Sequence, residues 1–87
     1  MSDLSFTEQA FQEYLSWQTQ DRKTLKRINL LLKELCRTPF EGTGKPEPLR
    51  YNHAGLWSRR IDEVNRLIYA VSDGCVTIYQ CKGHYDD

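Results

Sequence analysis

The chain is poor in the residues that build metal centres and covalent frameworks: its 87 residues include three cysteines and two histidines. Cys36, Cys75 and Cys81 are odd in number and show no C-x-x-C spacing. That argues against a disulfide framework and for reduced thiols in a cytoplasmic protein. Cys75, Cys81 and His84 are separated by six and three residues, which matches no zinc-ligand pair. No run approaches the roughly 20 apolar residues that cross a bilayer. Asp3 and Glu8 stand where a secretory leader would be basic, so no signal peptide is expected. Gly42-Thr43-Gly44-Lys45 lacks the spacing of a phosphate-binding loop, and no helix follows it. There is no repeat and no low-complexity tract. No membrane association, metal or cofactor is expected.

Net charge is also absent, since twelve Lys and Arg balance twelve Asp and Glu. The balance is uneven along the chain. From Arg22 to Arg66 there are eleven basic residues and five acidic ones, a local excess of six. A neutral protein with such a segment can still bind a phosphate backbone. Length allows one domain, residues 1–87, with a thin core and a shallow cleft.

What is present reads as an α+β protein. A short strand at residues 4–6 ends at Thr7, a helix cap. A helix over residues 8–18 carries Ala10, Phe11, Tyr14 and Leu15 on one apolar stripe. Asp21 caps a second helix over residues 22–37, where Leu25, Ile28, Leu31, Leu32, Leu35 and Cys36 line one face. Thr38-Pro39 stops it. Residues 40–48, with two glycines and two further prolines, form a stiff loop. Strands follow at 49–52, 56–61, 66–71 and 75–82, joined by turns at 53–55, 62–65 and 72–74. Short turns imply an antiparallel sheet of about four to five strands, with the two N-terminal helices packed on one face. Arg59, Arg60 and Arg66 then fall among apolar strand residues. Arginines on the uncovered face would make a basic concavity. Pattern alone does not decide which of Arg59 and Arg60 points into it.

Three features carry chemistry. His53 sits in a turn and His84 beyond the last strand, and histidine suits proton transfer near neutral pH. Glu47 is held between Pro46 and Pro48, and a positioned base gains from such restraint. The arginines could stabilise charge developing on a phosphate. Together Glu, Arg and His could supply the base, cations and acid of a metal-free RNA transesterification. Each also has a plain reading as a solvated or loop residue.

The order of these residues adds more. Residues 37–49, RTPFEGTGKPEPL, resemble the YoeB signature RTPFxGxGKPEPL. Residues 56–61 and 66–69 resemble the family's WSRRI and HRLVY blocks, His84-Tyr85 its terminal His-Tyr, and Tyr14-x-x-Trp17 its first helix. The similarity runs from about Leu4 to Tyr85. It implies the small microbial-RNase-like RelE/YoeB fold. It further implies a toxin of a type II toxin–antitoxin pair that cleaves mRNA in the ribosomal A site, touching both ribosomal subunits. A YefM-type antitoxin would neutralise it, operator DNA would be bound only through that complex, and the toxin would form a homodimer. By position, Glu47 matches the general base, Arg66 the phosphate-stabilising arginine and His84 the general acid. Arg60 and Arg50 match phosphate contacts, Tyr85 a substrate-positioning residue, and Lys45 is a further loop candidate. Asn65 stands where histidine is frequent, and Asp86 and Asp87 extend beyond the usual end. The alternative from another class is a non-catalytic RNA- or protein-binding module acting in transcriptional autoregulation.

Overall fold

The computed structural model describes residues 2–84. In chain order these form β1 (Asp3–Phe6), α1 (Glu8–Gln20), α2 (Arg22–Leu35), β2 (Glu47–Pro48), a 3-10 turn (Tyr51–His53), β3 (Trp57–Arg60), β4 (Arg66–Ser72) and β5 (Cys75–Gln80). The five strands make one sheet in the order β1-β5-β4-β3-β2. Strands β2 to β5 pair antiparallel, as their short connections require. The expectation of a wholly antiparallel sheet fails at β1, which lies parallel to β5. Two helices and three strands separate these partners in sequence, so no tight turn dictates their direction.

Both helices start where their caps stand. Thr7 Oγ1 accepts the Ala10 N–H, and Asp21 Oδ1 accepts those of Lys23 and Thr24. Helix α2 ends at Leu35, two residues before the expected stop, and its last turn closes with Arg37 and Thr38 N–H groups on Glu34 O. Its inner face buries Ile28, Leu31 and Leu35 completely against Leu67, Tyr69, Val76 and Ile78 of the sheet. Each aliphatic side chain so withdrawn contributes about 1.5–3 kcal/mol. The inward stripe of α1 is Ala10, Tyr14 and Trp17 rather than the four residues expected. Phe11 and Leu15 lie one position off that line and remain 46% and 39% exposed, with Phe11 edge-on to Phe6.

The strand expected at 49–52 does not form. Pairing stops at Pro48, and Tyr51 adopts a positive φ of 54° that turns the chain. The 3-10 turn closes with His53 N–H on Arg50 O and Ala54 N–H on Tyr51 O.

Candidate active site

Strand register decides which side chains share a face. In an antiparallel pair, residues directly opposite point the same way. Arg59 lies opposite Leu67, and Trp57 opposite Tyr69, so these four face the helices. Arg60 lies opposite Arg66, Ser58 opposite Ile68, and Glu47 opposite Ser58, so these face away. A register shift between Ile68 and Tyr69 brings Gln80 opposite Ile68, leaving Tyr79 as the extra residue. A row therefore crosses the sheet from Glu47 through Ser58 and Ile68 to Gln80. The Arg60–Arg66 pair forms the neighbouring row, so Glu47 and Arg60 are diagonal neighbours, about 7–8 Å apart by ordinary sheet spacing.

The ambiguity between Arg59 and Arg60 is thereby resolved. Arg60 is exposed, whereas Arg59 is fully buried. The buried guanidinium uses all five of its N–H donors. Nη1 donates to Glu34 Oε1 (2.8 Å) and Thr43 O (3.3 Å), Nη2 to Glu41 O (2.8 Å) and Thr38 O, and Nε to the Tyr69 hydroxyl (3.2 Å). Tyr69 in turn donates to Pro39 O. Glu34 accepts both the N–H and the hydroxyl of Thr43. Those Thr43 hydrogen bonds hold the Glu34 carboxyl below its ordinary pKa, and Arg59 adds to them against some desolvation. This hub fixes the 38–44 loop, which leads through Lys45 and Pro46 to Glu47. Gly44 ends the loop against β3: its carbonyl accepts Arg60 N–H at 2.7 Å, and a Cβ there would sit 2.9 Å from Arg60 O. The sequence held no local signal for the hub, because Glu34 and Arg59 are far apart along the chain.

Arg66 begins β4 after the 62–65 turn. Its Nη1 donates to Asp62 O (2.6 Å) and Asn65 O (3.1 Å), which orients the guanidinium. Asp62 folds that turn by accepting the N–H groups of Val64 and Asn65 and the Asn65 side-chain amide. Partial burial opposes ionisation of Asp62, but these hydrogen bonds and nearby Arg66 outweigh it and lower its pKa. Arg27, Arg60, Ile61, Asp62, Glu63 and Arg66 line a shallow depression of about 430 Å³.

His84 is exposed beyond β5. The backbone before it is tied to the start of β4, since Arg66 N–H donates to Gly83 O (3.0 Å) and Gly83 N–H to Asn65 Oδ1 (2.7 Å). Gln80 Nε2 donates to His84 O (2.9 Å). On the other side, α1 grips the same segment. Glu13 Oε1 accepts Cys81 N–H (2.8 Å), Trp17 Nε1 donates to Cys81 O (2.9 Å), and Lys82 Nζ reaches Ser16 Oγ (2.7 Å) over the Trp17 ring. Cys81 is buried there, and burial first, then Glu13, pushes its thiol pKa up to about 12.

The fold thus brings together Glu47, Arg60, Arg66 and the His84 backbone. Lys45 and Arg50 are exposed on either side of β2, outside the paired rows, and His53 lies in the 3-10 turn. Tyr85, Asp86 and Asp87 lie outside the described residues. Among the described residues, no three or more His, Cys, Asp or Glu side chains are grouped to hold a metal ion. No helix among them is long and apolar enough to cross a membrane.

The chain is similar to known proteins in sequence and in fold. The family described as YoeB-like toxin of bacterial type II toxin–antitoxin system matches residues 6–85. Toxin YoeB of Escherichia coli K12 is 51% identical over 82 residues, covering 94% of this chain and 98% of that protein. A YoeB/ParE toxin from Agrobacterium tumefaciens superposes with a TM-score of 0.93 at 41% identity, covering 95% of this chain and 99% of that one. YoeB from Staphylococcus aureus, solved as a dimer, has a TM-score of 0.88 at 45% identity and covers 97% of this chain and 98% of that one. The same protein in a heterotetrameric complex with YefM has a TM-score of 0.88 at 44% identity, covering 98% of this chain and 99% of that one.

Proposed function

We propose that this chain, which belongs to the family of YoeB-like toxins of bacterial type II toxin–antitoxin systems, is one endoribonuclease domain over residues 1–87 that cuts mRNA in the ribosomal A site. The observation that carries the reading is the shared face of Glu47, Arg60 and Arg66, with Gly83, the residue before His84, hydrogen-bonded through its backbone to the start of β4. Glu47 takes the proton of a ribose 2′-OH, and the 2′ oxygen attacks the adjacent phosphorus. Arg66 and Arg60 stabilise the extra negative charge of the phosphorane. The P–O5′ bond breaks, and His84 gives a proton to the departing 5′ oxygen. The products are a 2′,3′-cyclic phosphate and a 5′-hydroxyl. Arg50 and Lys45 hold neighbouring phosphates, and Tyr85 positions the substrate. No step requires a metal or cofactor.

The site is open on most sides, so it supplies charge and proton transfer but few walls to orient a flexible RNA. The ribosome supplies that orientation by presenting the A-site codon between its subunits. The basic 22–66 region serves docking on ribosomal RNA. Inhibition of translation follows, in the cytoplasm. A YefM-type antitoxin restrains the toxin, as the S. aureus complex suggests by analogy. The free toxin is a homodimer, and operator DNA is engaged only through the antitoxin complex.

The test adds purified protein to a defined translation reaction and maps mRNA 3′ ends. Cuts confined to codons in the A site are expected. Arg66→Ala should lower the rate constant about 10²–10³-fold, the ordinary effect of removing one contact to transition-state charge. Ribosome docking without any cleavage by the wild-type protein would overturn the enzyme and leave the binding module.

A further inference from the structure

We propose that Asn65 is a positioning residue: its side chain sets His84 against Arg66 by holding the Gly83 amide. This rests on the reading of His84 and Arg66 given above. Ladder pairing between β4 and β5 ends with Ile68 opposite Gln80, so Gly83 lies beyond the regular sheet. Yet both backbone groups of Gly83 are bonded. Its carbonyl accepts from the Arg66 N–H, and its N–H donates to Asn65 Oδ1 at 2.7 Å. The Asn65 amide thus replaces a ladder acceptor where no backbone carbonyl is in place. Gly83 has φ of 85°, a left-handed turn that redirects the chain immediately before His84.

The other end of the same amide faces the turn that aims Arg66. Asn65 Nδ2 donates to Asp62 Oδ2 (3.0 Å) and Oδ1 (3.2 Å). The carbonyls of Asp62 and Asn65 both receive Arg66 Nη1, and Asn65 O also receives Ile61 N–H (3.0 Å). One side chain therefore joins the turn that orients Arg66 to the segment that carries His84. The grip from α1 stops at Cys81 and Lys82, so it fixes the segment two residues short of His84. Between that grip and His84, the Asn65–Gly83 bond is, among the described residues, a side-chain tie to the arginine-bearing turn, beside the main-chain bond from Arg66 N–H to Gly83 O. Losing the Asn65 tie leaves the bonds from Arg66 N–H to Gly83 O and from Gln80 to His84 O but frees the Gly83 N–H, so the segment carrying His84 gains room to shift relative to Arg66. Displacements of about 1 Å can cost about 10²-fold in rate.

The experiment compares three variants of the full chain. Asn65→Ala removes both ends of the tie. Asn65→Asp keeps an acceptor for Gly83 but sets a carboxylate against Asp62. Asp62→Asn combined with Asn65→Asp restores the acceptor for Gly83, the turn bonds to Val64 and Asn65 N–H, and the shorter contact between residues 62 and 65 with donor and acceptor exchanged, giving up the longer one to Oδ1 (3.2 Å). Gly83 amide exchange is followed by NMR, with Val76 and Ile78 as core controls, and mRNA cleavage is measured as kcat and KM in the translation reaction. For Asn65→Ala, Gly83 exchange should rise about tenfold or more with the core amides unchanged. Its kcat should fall about 10–100-fold with KM within about threefold. The exchanged pair should recover both Gly83 protection and kcat to within about threefold of wild type, which a merely space-filling role does not foresee. Wild-type kcat in Asn65→Ala overturns the proposal. So does an exchanged pair that regains Gly83 protection without regaining kcat. If Asn65→Ala also loses core protection, the exchanged pair alone decides. A wild-type protein that cuts no mRNA overturns the reading of the site and the catalytic half of this inference with it, while Gly83 exchange still decides the tie.

Discussion

Replacing both Arg59 and Glu34 with Met should destabilise the protein by about 3 kcal/mol, although such exchanges of buried ion pairs are often neutral or stabilising. The difference lies in what the two residues hold besides each other. Arg59 is completely buried, while the Glu34 side chain keeps 29% of its exposure. The guanidinium also serves the carbonyls of Thr38, Glu41 and Thr43, and the carboxylate serves the amide and hydroxyl of Thr43. Two methionines would fill the space and leave these loop groups to find water. A net hydrogen bond contributes about 0.5–1.5 kcal/mol. Thr38 and Glu41 are exposed residues, so water can take over part of their loss. About 3 kcal/mol remains, which in a domain of this size lowers Tm by roughly 12–24 °C. Thermal and urea unfolding followed by circular dichroism measure both quantities. Arg59→Met alone should cost about as much as the double variant, because the carboxylate it leaves behind can reach solvent. A double variant within about 1 kcal/mol of wild type would refute the reasoning, since it would make Arg59 and Glu34 an ordinary ion pair.

Three further outcomes follow from the same structure. Glu34 and Asp62 have lowered carboxyl pKa values in the folded state, so each adds stability above the ordinary carboxylate pKa of about 4 and loses it as pH falls through the depressed value; urea midpoints should fall below about pH 4, and less steeply in Glu34→Gln. Cys81, buried with its pKa pushed up to about 12, should be the last of the three thiols to react with a disulfide reagent at about pH 8, and only at the rate of unfolding; fast labelling of all three thiols in the folded protein would contradict its placement. Gly44→Ala should cost more than Gly55→Ala, because both positions have positive φ but only Gly44 would press a Cβ against β3; at Gly55 the cost should be the backbone penalty alone, about 1 kcal/mol, and equal unfolding free energies for the two variants would contradict the close approach at Gly44.

The helices were legible because their signals are local. Thr7 and Asp21 name the caps, and the spacing of Ile28, Leu31 and Leu35 names the buried face of α2. The stripe of α1 was misaligned because Ala10 and Trp17 differ greatly in size, while the bulkier Phe11 and Leu15 lie beside them and draw the pattern off line. The sheet was harder to read. Strand β2 is two residues long and includes a proline, so it has no alternation to detect. The parallel placement of β1 depends on contacts across most of the chain. The family motif marked Glu47, Arg60, Arg66 and His84 without locating any of them. Periodicity could not separate Arg59 from Arg60, since the two are adjacent and polar and follow Ser58, which breaks any apolar alternation along the strand.

What separates those two arginines is the partner each meets, and this bears on how the site works. The residues assigned to the phosphate stand on the sheet face away from the helices, where burial cannot lock their positions as it locks Leu67 or Ile78. Their backbone is instead held by side chains acting elsewhere. Arg59 and Glu34, on the helix side, pin the loop that leads to Lys45 and Glu47. Asp62 and Asn65 pin the turn that presents Arg66, and Asn65 with Glu13 and Trp17 pins the segment that ends at His84. Each holding side chain acts on main-chain N–H or C=O groups, so it fixes direction without occupying the exposed face proposed to receive RNA. A substitution in this supporting set should therefore reduce kcat while leaving the charge of the docking face, and with it the salt dependence of ribosome binding, unchanged. Loss of an exposed arginine such as Arg60 should do the reverse to the salt slope. Measuring kcat and the dependence of ribosome affinity on KCl for Glu34→Gln and Arg60→Ala side by side separates the two roles: a flattened salt slope in Glu34→Gln would mean that the hub shapes the docking surface itself.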